Sequence, residues 1–428
     1  MIKKIKSFID ISDKTKDEIY ELLECFLKYI EEQYDSEVLN PIYNVDLLLL
    51  VSEAYSLLED KEKWGKVAYD MCKSIKQSLE RDGISGYRPR MIGGLGYMCF
   101  AINIFNKNTG NLEKFSESLN KLLLESSNNY IDYLIESNSE IFMGQYDVIS
   151  GLSGALYYLL DFKWNVDEEK QLEKILNYLI GLTKYHKYKD RNIINFHITR
   201  ENQFREDEKE KFPDGNLNFG LSHGMMGPLI AMAKAHNKKI KATGLNDAIV
   251  ELFNIYEKFK KYKGNIAFWP TQLAYKDYII GELDENTTPI RSSWCYGNIS
   301  IARGMQKTAK YMKWSEKEKE YKKDLINIIN QPIENYNLYE SILCHGYASV
   351  LCERMFVYRD GKDETFIRTI EDNINVIINM FKKNKDENKV IQVNFEDLSF
   401  MEGTIGIVLS LLGVISEGLD YGRLLLVD

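Results

Sequence analysis

Residues 403–415 read GTIGIVLSLLGVI: two glycines three residues apart, then a run that is apolar except for one serine and one glycine. A helix that is apolar all round has no face to offer water, so it must be enclosed by other helices. The same opening recurs along the chain. Gly93-Gly94-Leu95-Gly96 leads into YMCFAINIF, Gly151-Leu152-Ser153-Gly154 into ALYYLLDF, and Gly224-Met225-Met226-Gly227 into PLIAMAKAH. Gly297-Asn298-Ile299-Ser300 and Gly346-Tyr347-Ala348-Ser349 are weaker copies with serine for the second glycine. The first glycines are separated by 58, 73, 73, 49 and 57 residues, a period that suits a helical hairpin with loops of varying length. Pro228 fits a first helical turn, where its missing N–H costs nothing. The glycines themselves read as close-packing positions at the starts of helices.

Between the motifs lie amphipathic stretches such as FSESLNKLLLESSNNYIDYLIE (115–136) and QLEKILNYLIGLTKYH (171–186). Their leucines and isoleucines recur at steps of three and four. Hairpins with one enclosed and one surface helix close into two concentric rings. The expected fold is therefore all-α, an α/α toroid of inner and outer helices forming one domain over 1–428. YNVDLLLLVSEAYSLLE (43–59) reads as a degenerate further hairpin. Two stretches break the helical period, near 187–219 and 262–290. The first is polar, with a turn signal at Pro213-Asp214-Gly215. The second is aromatic and β-branched enough for a short strand pair. Both are expected to cap the toroid mouth as loops, and the charged run at 382–389 reads as a solvated loop.

The 428 residues are 44% hydrophobic and 28% charged with 7 prolines, which excludes disordered and collagen-like classes. The formal charge of -9, from 55 basic and 64 acidic residues, shows no basic excess, so no nucleic-acid partner is expected. No signal peptide or transmembrane run is visible. Cys25, Cys72, Cys99, Cys295, Cys344 and Cys352 lack the dense spacing of a secreted scaffold. They read as reduced thiols of a soluble cytoplasmic protein.

Chemistry clusters beside four of the glycine motifs. Cys295 and Cys344 are each separated by one residue from an opening glycine, and His345 follows Cys344. Equivalent positions of neighbouring hairpins face the same end of a toroid. These three would then form an open zinc site, with a fourth position left for water or substrate. Each cysteine alone reads equally as a small buried hydrophobe. His223, directly before Gly224, would face the same mouth, or else simply hydrogen-bond at a helix start. Asp147 is the parallel case one repeat earlier, or a carboxylate answering a helix dipole. Cys25, Cys72, Cys99 and Cys352 fall within helical patterns and read as packing residues.

YDVISGLSG (146–154), GLSHGMMG (220–227), RSSWCYG (291–297) and CHG (344–346), in this order, together resemble the lanthionine synthetase C-like cyclases of lantibiotic biosynthesis. The resemblance implies seven inner and seven outer helices. It implies one Zn2+ per chain on Cys295, Cys344 and His345, with Asp147, His223, Arg291 and Tyr296 as catalytic residues. The implied reaction adds peptide cysteine thiols to dehydroalanine or dehydrobutyrine, forming (methyl)lanthionine rings. The implied partners are a dehydrated precursor peptide with its leader, a separate dehydratase and an export transporter. Cytoplasmic location, or peripheral attachment to the membrane through a biosynthetic complex, goes with that. The competing expectation is a non-catalytic, zinc-containing scaffold of the same fold that binds thiol peptides or glutathione. A prenyltransferase-like zinc toroid is disfavoured by the adjacent Cys344-His345, and a toroidal glycosidase by the lack of an inner carboxylate pair.

Overall fold

Each glycine motif marks a point where the chain folds back tightly and a helix begins. At Gly406 a Cβ would lie 2.0 Å from the Phe400 carbonyl oxygen, and at Gly154 2.2 Å from that of Val148. No side chain fits there, so the second glycine is a steric requirement of a loop crossing its own helix. The serines of the weaker copies are accommodated by hydrogen bonds. Ser349 Oγ donates to Gly346 O at 2.6 Å, and Ser300 Oγ to Gly297 O at 3.1 Å. The first copy is shifted from the expected register: Gly93 takes a φ of +68°, and Gly94 caps the helix.

The structure, a computed structural model, describes residues 1–428 except 84–87, 139, 284–287, 383–394 and 396. Of the charged run at 382–389, Lys382 ends a helix and the rest lies outside the described residues. Sixteen α-helices occur among the described residues, and fourteen of them alternate between two layers. In chain order, α1 (Asp13–Asp35) is outer, α2 (Asn44–Ala54) inner, α3 (Lys61–Asp82) outer and α4 (Leu95–Thr109) inner. Outer α5 (Glu113–Glu136), inner α6 (Leu152–Leu159) and outer α7 (Val166–Leu182) follow. Short α8 (Glu206–Lys211) precedes inner α9 (Met226–Asn237) and outer α10 (Leu245–Lys258). Short α11 (Tyr275–Ile280) precedes inner α12 (Asn298–Met312) and outer α13 (Ser315–Ile329). Inner α14 (Tyr347–Gly361), outer α15 (Ile370–Lys382) and inner α16 (Thr404–Ile415) complete the series.

Burial follows the sequence patterning. Every residue of α6 and α16 is buried, whereas α7 buries only Leu172, Ile175, Leu176, Leu179, Ile180 and Leu182. The inner helices close a ring: α2 packs on α4, α6 on α9, α9 on α12, α12 on α14, α14 on α16, and α16 back on α2. Phe100 edge-on to Tyr158 bridges α4 and α6. The outer partner of α16 is α1, so the two ends of the chain make the seventh pair. The result is an α/α toroid, and the segment around Asp46 supplies its first inner helix. No helix among the described residues is long and apolar enough to cross a membrane.

At one end of the toroid the loops before the inner helices are stitched together by main-chain hydrogen bonds. Met91 N donates to Ile149 O at 2.9 Å, Val148 N to Ser222 O at 3.2 Å, and Leu221 N to Cys295 O at 3.0 Å. Cys295 N donates to Cys344 O at 3.2 Å, and Cys344 N to Met401 O at 2.9 Å. Asp46 closes the circle, its Oδ1 accepting from Phe400 N at 2.8 Å and from Tyr97 OH at 2.9 Å. Burial pushes the Asp46 carboxyl up to about 6, although these two hydrogen bonds oppose the shift. This circle fixes the positions of the loops that carry the chemistry.

The insertions are more ordered than loops. β1 (Tyr185–Tyr188) and β2 (Arg191–Ile194) form a hairpin, followed by α8 and β3 (Asn216–Asn218). The second insertion holds the hairpin β4 (Lys261–Lys263) and β5 (Ile266–Phe268), then β6 (Gln272–Ala274) and α11. β3 pairs antiparallel with β6, Leu217 opposite Leu273, which joins the two insertions. The expected insertion near 187–219 is thus present, and short strands and a helical turn order it. Strands of three or four residues whose partner lies far along the chain leave little local pattern.

Candidate active site

Cys295 and Cys344 sit in adjacent loops of the stitched circle, directly bonded through their backbones. That contact brings the two thiols and the His345 imidazole together, with one donor atom from each within 4.8 Å of the others. Tetrahedral zinc with ligands at about 2.0–2.3 Å demands such a spacing. No other group of three candidate ligands occurs among the described residues. The contact with Cys344, followed by those with His345 and Ser293, holds the buried Cys295 thiol well below its ordinary range. Cys344 is pushed up, first by the same contact and then by burial. The imidazole of His345 is raised chiefly by its contact with the Cys295 sulfur. A soft set of two thiols and one imidazole suits a zinc ion. By contrast, Cys72 is buried and pushed up to about 12 by burial, as befits a packing thiol. All six cysteines are free.

His223 and Asp147 come together across 76 residues of sequence, Nδ1 of the imidazole lying 2.5 Å from Asp147 Oδ2. Asp147 is 0% exposed, and its Oδ1 accepts from Ser150 N at 2.7 Å and Gly151 N at 2.6 Å at the start of α6. The helix start thus holds one carboxylate oxygen and the imidazole takes the other. With Nδ1 so engaged, the ring, 25% exposed, leaves Nε2 for other partners. Burial pulls the His223 pKa down, but the Asp147 hydrogen bond and charge, with the charges of Cys295 and Glu208, outweigh it and leave a net rise above 6.5. In Asp147→Asn the burial persists while the charge is gone. The His223 pKa is then expected to fall below its wild-type value in an NMR titration. An unchanged value would mean that Asp147 does not set it.

Tyr296 packs its ring 6.3 Å from that of His223, and its hydroxyl accepts from Asn218 Nδ2 at 3.3 Å. Burial pushes the phenol up. Arg291 is exposed at the rim, with its charge felt at Cys344. All seven residues singled out from the sequence therefore lie in or beside the stitched loops at one mouth.

Several neighbours carried no signal in the sequence. Phe204, just before α8, is 76% exposed, yet its ring stacks on His223 at 5.9 Å and 23°. Glu208 of α8, whose charge reaches His223 and Tyr296, accepts from Gln272 Nε2 at 3.0 Å. The joined insertions thus lie over the His223 side of the mouth. On the other side Glu340 Oε2 lies 3.2 Å from His345 Nε2. A pattern search for ligands passes over Glu340, because a charged residue in a polar loop is unremarkable until the loop is folded.

Behind the site, Trp294 Nε1 donates to Leu425 O at 2.9 Å, and the buried Arg303 of α12 binds Val427 O through Nη2 at 2.7 Å. Residues 424–427 thereby brace the loop that carries Cys295.

Comparison with known proteins agrees with the fold. A solved structure titled Nisin cyclase superposes with a TM-score of 0.79 over 95% of this chain and 98% of that one, at 22% identity, which is a likeness of fold. Nisin biosynthesis protein NisC of Lactococcus lactis subsp. lactis is 35% identical over 190 residues, 42% of this chain. The match spans 44% of that relative's length, less than half. A family model described as Lanthionine synthetase C-like protein matches residues 47–421, from the first inner helix to beyond the last. The chain belongs to the lanthionine synthetase C-like family.

Proposed function

We propose that this protein is a zinc-dependent cyclase that adds peptide cysteine thiols to dehydroalanine or dehydrobutyrine, forming (methyl)lanthionine rings in a lantibiotic precursor. The observation that carries this reading is the Cys295–Cys344–His345 donor set at the same mouth as the Asp147–His223 pair. Zinc held by the three donors, one per chain, would favour the thiolate form of a substrate cysteine, which is otherwise a few per cent ionised near neutral pH.

The protein's own groups account for the rest. The substrate sulfur forms a bond to the β-carbon of the dehydro residue, and the double-bond electrons move to the carbonyl oxygen as an enolate. Arg291, a fixed cation at the rim, stabilises that oxygen. His223 transfers a proton at Nε2 and supplies it to the α-carbon, while Asp147 holds the ring by Nδ1. Tyr296 packs beside His223 and limits its rotation. The thiol proton ends on carbon, so no atom leaves. Phe204 stacks on one face of the imidazole.

In this reading residues 1–428 act as one unit, supported by closure of the ring through α1. The substrate is a dehydrated precursor with a leader, supplied by a separate dehydratase and passed to an exporter, in the cytoplasm or at the membrane through a biosynthetic complex. The joined insertions near 187–219 and 262–290 are the candidate leader-docking surface. The test is to mix the purified protein with dehydrated precursor and count free thiols. One thiol should disappear per ring formed. Binding of the peptide without loss of thiols would instead make the protein a thiol-peptide scaffold.

A further inference from the structure

We infer that Glu340 is a positioning residue of the metal centre, accepting the Nε2–H of His345 and so fixing which imidazole nitrogen faces the two sulfurs. The inference rests on the zinc reading of Cys295, Cys344 and His345. Glu340 Oε2 lies 3.2 Å from His345 Nε2, an ion-pair distance that a small side-chain rotation turns into a charge-assisted hydrogen bond. The carboxylate stands outside the group of mutually close donors, so it meets the imidazole without being a fourth ligand.

The approach is built into the loop. Tyr347 N donates to Glu340 O at 2.9 Å, Ala348 N to Ser341 O at 3.1 Å, and Gly346 N to Ile342 O at 3.0 Å. These bonds fold residues 340–346 back over the start of α14. Gly346 permits it, since a Cβ there would lie 2.5 Å from the Glu340 carbonyl oxygen. The backbone of Glu340 is thereby pinned beside the helix whose preceding residue pair is Cys344-His345. An imidazole engaged at Nε2 is held in the Nδ1-acceptor tautomer, with the lone pair of Nδ1 free for a cation. Carboxylates in this relation to a ligating histidine fix its orientation and raise its basicity, and removing them typically weakens metal binding about 10–100-fold.

The experiment measures zinc dissociation constants by chelator competition for wild type, Glu340→Ala, Glu340→Gln and His345→Ala. Absorption spectra of the Co2+-loaded proteins and melting curves of the metal-free proteins accompany them. Glu340→Ala is expected to bind zinc about 10–100-fold more weakly, with an altered Co2+ spectrum and an unchanged metal-free melt. Glu340→Gln keeps a neutral acceptor and should fall between. If the alanine variant melts early, the near-isosteric glutamine variant decides, and wild-type affinity and spectrum in it overturn the inference. Zinc affinity of Glu340→Ala equal to wild type, while His345→Ala loses zinc, rejects the role of Glu340 alone. Wild-type affinity in His345→Ala rejects the zinc reading and this inference with it.

Discussion

Cys344→Ala protein is expected to purify folded but almost without zinc, against about one zinc per chain in wild type, and to close no rings. The fold should survive because the loop is held by main-chain bonds that alanine retains. Cys344 N still reaches Met401 O and Cys344 O still accepts from Cys295 N. Only the sulfur is lost, and with it the second anionic donor of a three-donor site. Two remaining ligands cannot hold an ion that normally takes three or four from the protein. Cys295→Ala and His345→Ala should behave alike, since each removes one donor from the same group. Metal analysis and ring counting by mass spectrometry give both readouts. Full zinc in all three variants would place the metal elsewhere and remove the mechanism.

A second large effect is expected at His223. His223→Ala should cyclise about 10²–10⁴-fold more slowly while keeping its zinc, because the imidazole works on protons and is no ligand. Loss of zinc in this variant would make His223 part of the metal site. Turnover at the wild-type rate would end its catalytic role. The substitution also strands a carboxylate oxygen, because Asp147 is 0% exposed and Oδ2 then loses its partner. An unsatisfied buried acceptor costs about 1–3 kcal/mol. The charge pairing adds a part that depends on pH with a definite sign. The folded-state pKa of His223 is raised above 6.5, so the pairing stabilises the fold fully below 6.5 and fades as pH rises through the raised value. The gap between denaturant melts of wild type and His223→Ala should therefore narrow on going from mildly acidic to alkaline pH, leaving the part due to the neutral hydrogen bond.

Much of the fold was legible in the sequence. The motif GTIG before a run apolar on all sides has one physical solution, a tight turn into an enclosed helix, and its recurrence requires a layered closed array. Such information is local: steric exclusion at Gly406 or Gly154 and helical periodicity act within a few residues. The candidate site was legible for a related reason. Asp147, His223, Cys295, Cys344 and His345 all stand beside those turns, and repeating units place equivalent positions at one end. The register of the first copy was less legible, because Gly93-Gly94 offers two glycines and only the folded loop assigns the left-handed one.

Other features were decided only by the tertiary structure. Nothing near Asp147 marks its second oxygen for an imidazole 76 residues away. The pairing follows from the stitching of loops 148 and 222, a single 3.2 Å backbone bond between neighbouring repeats. The β3–β6 pairing, Phe204 on His223 and Glu340 beside His345 are of the same kind. So is the closing of the outer layer by α1 against α15 and α16. Composition and periodicity set what each segment must bury, but many chain paths bury the same surface. Which of them brings two distant polar groups within 3 Å is settled by the sum of weak contacts in the closed ring, and no single segment carries that sum.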